Sequence, residues 1–116
     1  MKHRDIQLVK KIIHECDEIL KFAAESGKTA FLTNMLYQKA IAMSLLNVGE
    51  YANAVSKELW EEYPDIKWRK IVDLRNLVAH GYGELDMELI WSLCEKNIPE
   101  LLSKMQSVVD HLQKYS

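Results

Sequence analysis

A chain of 116 residues has material for one hydrophobic core and not for two, so the whole span 1–116 is expected to form a single domain. With 48% hydrophobic and 28% charged residues, four glycines and two prolines, it is neither a linker nor a disordered tail. Fifteen Lys plus Arg against seventeen Asp plus Glu leave a net charge of −2, which excludes a global positive field for nucleic acid and makes any anion site a local one.

The opening segment MKHRDIQLVKK is charged and amphipathic and lacks the continuous apolar stretch of a signal peptide or membrane span, so a cytoplasmic protein without membrane attachment is expected. Ile6, Val9, Ile13, Cys16, Leu20 and Ala23 recur every three or four residues and predict a first helix with one buried stripe, ending near Ser26-Gly27. Thr29 is a candidate cap for a second helix, in which Leu32, Met35, Leu36, Met43 and Leu46 fall at helical spacings. Gly49, Ala52 and Ala54 offer it small surfaces for close approach. That helix runs on, or bends near Gly49, towards Leu59. Tyr63-Pro64-Asp65 then breaks the pattern, because proline disfavours a helical residue before it. A third helix starts near Ile66. After the turn Gly81-Tyr82-Gly83, Asp86 is the expected N-cap of a fourth, with Glu88 in its first turn. Asn97-Ile98-Pro99 interrupts it, and Ile98, Leu101, Leu102, Met105, Val108, Val109 and Leu112 form the stripe of a terminal helix that follows a kink or starts afresh. No β-alternation appears. The fold class is therefore all-α, an up-and-down bundle of four or five helices.

The third helix carries the chemistry. At 3.6 residues per turn Ile71, Leu74, Leu77 and Val78 gather on one side, expected to be the core face. Trp68, Val72, Arg75 and Ala79 form a neighbouring stripe whose aromatic and arginine content suits an interface, so self-association through this stripe is expected. Lys67, Arg69, Lys70 and Arg75 outnumber Asp65 and Asp73, a local exception in an acidic chain. Arg75 and His80 are five positions apart and diverge by roughly 140° on an ideal helix. They converge on one group only if the helix ends at His80, with Gly81 as its left-handed cap, or if a second copy brings its own pair across a two-fold axis. A histidine at a helix C-terminus feels the negative end of the macrodipole, which favours the imidazolium. Asn76 lies one turn before His80, and Tyr82 adds a hydroxyl two residues beyond it.

An arginine fork with a titrating histidine suffices for metal-free RNA cleavage, in which a 2′-hydroxyl attacks the adjacent phosphate. The plainer reading makes His80 a capping group and Arg75 a salt-bridge partner. His3, His14 and His111 lack companions at ligand spacing, so no metal site is expected. Cys16 and Cys94 stand alone and read as reduced, packed thiols, Trp60 and Trp91 as packing anchors.

The segment WRKIVDLRNLVAHGYGELDMELIW, residues 68–91, resembles the HEPN superfamily in its HepT-like branch, whose mark is Arg-x4-His-x-Tyr, here Arg75, His80 and Tyr82 with Asn76 directly after the arginine. More loosely the likeness covers nearly the whole chain, including the Gly49-Glu50 step in the second helix and Trp91 and Pro99 in the C-terminal pair. The resemblance implies a homodimeric helical toxin, dimerising through the motif helix, that cleaves RNA without metal or other cofactor at a composite site. Arg75 and His80 would be catalytic and Asn76 supporting. It also implies a cognate minimal nucleotidyltransferase as antitoxin, which in some members transfers AMP to the motif tyrosine, here Tyr82. The alternative drawn from the same branch is a non-catalytic subunit that binds nucleotide, or presents Tyr82, for such a nucleotidyltransferase.

Overall fold

The computed structural model describes residues 2–81 and 86–115, without the side chains of Lys2 and His80, so Tyr82 and Gly83 of the predicted turn lie outside the described residues. Six helices follow in order: α1 (Lys2–Thr33), α2 (Met35–Ala54), α3 (Lys57–Glu62), α4 (Trp68–Gly81), α5 (Met87–Ser92) and α6 (Ile98–Tyr115), with a π-helical turn at Leu93–Asn97 joining the last two. No strand occurs among the described residues, and the all-α bundle expected from the periodicity is what forms.

α1 and α2 make an antiparallel hairpin. At one end Asn34 caps α2 by accepting from the Leu36 N–H at 2.9 Å. At the other, the buried Asp5 carboxylate accepts from the Ser56 backbone N–H at 3.0 Å and from the Ser56 hydroxyl at 2.6 Å. The expected break at Ser26-Gly27 is present: the backbone there is not helical, and two helices meet at a kink inside α1. Gly27 takes φ 70°, ψ 169°, which costs glycine little, and helical bonding then resumes to Thr33, so the cap is Asn34 and not Thr29. Ile41, Ala42, Leu45, Val48, Gly49 and Ala52 form the buried side of α2. Met35, Leu36 and Met43, expected on its apolar stripe, are exposed instead.

The expectation that the second helix continues towards Leu59 also needs correction. Val55 is extended at ψ 142°, and the Ser56 hydroxyl starts a separate helix by accepting from the Leu59 N–H at 3.2 Å. This short α3 changes the environment of α4. Trp60 stacks nearly parallel on Trp68 at 6.0 Å between ring centroids, and the Trp68 indole N–H donates to the Tyr63 carbonyl at 3.2 Å. Trp68 is thereby only 4% exposed and Val72 only 7%, so the first half of the stripe read as an interface face is core, while Arg75 is half-buried and Ala79 exposed. Leu74 and Leu77, assigned to the core, are the half-exposed ones.

Asp86 caps α5 as expected, accepting from the N–H groups of Glu88 and Leu89. Asn97-Ile98-Pro99 does not interrupt the helix. The Ile98 N–H reaches back five residues to the Leu93 carbonyl, and this wider turn precedes Pro99, which has no N–H to give and a ring that would crowd an ordinary α-turn. Leu77 and Leu89 line one hollow, and Ile66 and Lys67 line another with Leu101 and Lys104, so α5 and α6 run back antiparallel to α4. The core lies where α1 meets α2 and α6, with α4 packed on α2.

Candidate active site

Arg75 stands directly against Gly49 of α2. A Cβ on Gly49 would lie 2.5 Å from the Arg75 backbone nitrogen and 2.6 Å from its Cβ, so the absence of a side chain at position 49 is what lets the two backbones meet. The next residue, Glu50, reaches the guanidinium: Arg75 Nε is 3.3 Å from Glu50 Oε1. The Nε–H itself donates to the Asn76 side-chain oxygen at 3.4 Å. The Arg75 side chain keeps 30% of its surface exposed, and among the described residues nothing engages its terminal Nη groups. A cationic fork, held at its inner nitrogen and open at its outer edge, is the arrangement a phosphate accepts.

Three of the expected site residues can be placed. Arg75 and Asn76 are brought together, with Asn76 exposed. The His80 backbone lies in the last turn of α4, five residues along from Arg75, and its side chain lies outside the described residues, as does Tyr82. The residue that reading by spacing missed is Glu50. Its signal was the Gly-Glu step at positions 49 and 50, but nothing in the sequence said which helix that step would face.

Two hollows border α4 on the side away from α2. One is lined by Leu74, Leu77, Leu89 and Leu93 with Lys70, Asp73 and Asn76, and Leu89 is 49% exposed there. The other, about 320 Å³, has an aliphatic floor that includes Ile66, Ile71 and Leu101, and it is rimmed by Lys67, Lys70 and Lys104. Glu100 at its edge is bonded to Lys104 at 2.9 Å, which holds its carboxyl below the usual carboxylate range. The two cysteines take no part. Burial pushes each thiol up to about 12, so neither is a nucleophile near neutral pH. Trp91 packs against Phe31 at 5.4 Å, a core anchor as expected. Among the described residues no group of three or more His, Cys, Asp or Glu could hold a metal ion, and no helix is long and apolar enough to cross a membrane.

The sequence profile described as "Ribonuclease HepT-like" matches residues 12–108, most of the chain. The chain belongs to the HepT-like ribonuclease family. Among its relatives, a "Putative RNase" of Methanocaldococcus jannaschii is 23% identical over 109 residues, covering 93% of this chain and all of that protein. A "Probable ribonuclease HepT" of Thermococcus cleftensis is 24% identical over 108 residues, covering 93% of this chain and 98% of its own. No solved structure matches the chain. The HepT-like match spans α2 and α4 entire, so Gly49, Glu50, Arg75, Asn76 and His80 all lie inside it.

Proposed function

We propose that this HepT-like chain is a metal-independent endoribonuclease, the toxin of a pair whose antitoxin is a minimal nucleotidyltransferase. The observation that carries the reading is the Arg75 fork, clamped at Nε and open at its outer edge, on the helix whose last turn holds His80. Arg75 binds the non-bridging oxygens of the scissile phosphate and stabilises the charge that grows on them as the 2′-oxygen attacks. His80 takes the proton from the 2′-hydroxyl, or gives one to the departing 5′-oxygen, its partner in the second copy serving the other step. The new 2′-O–P bond forms as the P–O5′ bond breaks, leaving a 2′,3′-cyclic phosphate and a free 5′-hydroxyl. Asn76 supports the arginine.

Purified protein is expected to cleave RNA in the presence of a chelator and to leave cyclic phosphate ends. Arg75→Ala and His80→Ala should each abolish cleavage with helicity preserved. Cleavage that survives both substitutions sinks the assignment. Tyr82, two residues after His80, is the acceptor in the proposed silencing: AMP placed there adds negative phosphate beside the anion site and repels RNA. With the nucleotidyltransferase and ATP, the wild type should gain the mass of AMP and Tyr82→Phe should not.

One observation favours the second reading, a nucleotide-binding subunit without catalysis. The hollow with three lysines on its rim has the volume and mixed lining of a small-molecule site. A protein that binds ATP there and leaves RNA intact would fit that reading.

A further inference from the structure

We propose that Glu50 is the positioning residue of the site, acting on the scissile phosphate through Arg75 and never touching RNA itself. The inference rests on the nuclease reading and adds to it a residue outside the motif.

Glu50 is 52% exposed and Arg75 30%, and a pair so open to solvent contributes little to folding. It nevertheless sits beside a close backbone approach between α2 and α4, where Gly49 meets the Arg75 backbone. Both side chains therefore leave helices whose separation is fixed at that level, and the carboxylate has a set place beside the guanidinium. Arginine carries five N–H donors in a rigid plane. Asn76 accepts the Nε–H at 3.4 Å and the Glu50 carboxylate lies 3.3 Å from the same nitrogen as its ion-pair partner, which orients the plane while leaving the four Nη donors on its outer edge. A free arginine side chain samples many rotamers, so holding one of them removes an ordering cost at the transition state. The carboxylate also lowers the local positive charge, so it should weaken ground-state attraction for RNA even as it improves the chemical step.

These two effects separate in kinetics. Glu50→Ala is expected to lower kcat about a hundredfold, the order associated with misplacing a reacting group by an ångström. KM should stay level or fall, and thermal stability should change little. Glu50→Asp, which keeps the charge on a shorter arm, should recover part of the loss, and Glu50→Gln less. Isotope-edited NMR supplies a readout independent of activity: the Arg75 Nε–H, bonded to Asn76 while Glu50 holds the rotamer, gives a resolved, exchange-protected signal in the wild type that is lost in Glu50→Ala. If Glu50→Ala keeps a kcat within about twofold of wild type while Arg75→Ala is dead, the positioning role is refuted. If the wild type cleaves no RNA, the nuclease reading fails separately, and an Nε–H signal that persists in Glu50→Ala then overturns the clamp.

Discussion

A methyl group at position 49 tests how tightly the site is built. Alanine is the better helix former by about 1 kcal/mol, so propensity alone predicts that Gly49→Ala stabilises α2. The new Cβ would, however, lie 2.5 Å from a backbone nitrogen, which cannot swing aside as the end of a side chain can. Overpacking of this kind costs roughly 1–3 kcal/mol, and with backbone as the obstacle the upper half of that range applies. Gly49→Ala should therefore lose about 1–2 kcal/mol net, seen as a lower urea midpoint at unchanged slope. Because the obstacle is Arg75 itself, RNA cleavage should fall by more than the unfolded fraction explains. Equal stability and equal activity in Gly49→Ala would mean that the helices do not touch as described.

At the scale of the helices, local chemistry was legible in the sequence and the partners of each face were not. Asp86 as a cap, the stripe of α6 and the all-α class follow from signals within a few residues, which is the range over which capping and periodicity act. Gly27 was legible too, since a glycine at positive φ interrupts a helix, but the sequence did not show that helical backbone resumes for one short stretch before Asn34 caps α2. Trp68 and Val72 misled. Periodicity says which residues share a face, and it cannot say that a six-residue helix begun by Ser56 will lay Trp60 over that face. The same limit applied to the site: Arg75 could be picked out by its spacing from His80, whereas Glu50, twenty-five positions away, meets it only through helix packing.

The whole molecule leaves one question about assembly to be argued from exposed apolar surface. With Trp68 and Val72 buried in their own chain, any self-association through the motif helix would draw on the other side of α4, where Leu74 and Leu77 line a hollow with Leu89 and Leu93 and Asn76 sits at the lip. Half-exposed leucines beside polar motif residues have the composition of an interface core with a functional rim. A two-fold axis near Asn76 would bring two Arg75 and two His80 together, and this resolves the divergence of the pair on a single helix. The competing surface is the start of α2, where Leu36 is 73% and Met43 58% exposed. The double change Leu77→Asp, Leu89→Asp should give a monomer by sedimentation equilibrium at preserved helicity, and cleavage should be lost with the dimer. Leu36→Asp with Met43→Asp should leave both intact. The opposite pattern would put the axis on α2, and it would leave each Arg75 and His80 to act within one chain, a geometry that a helix of 3.6 residues per turn opposes.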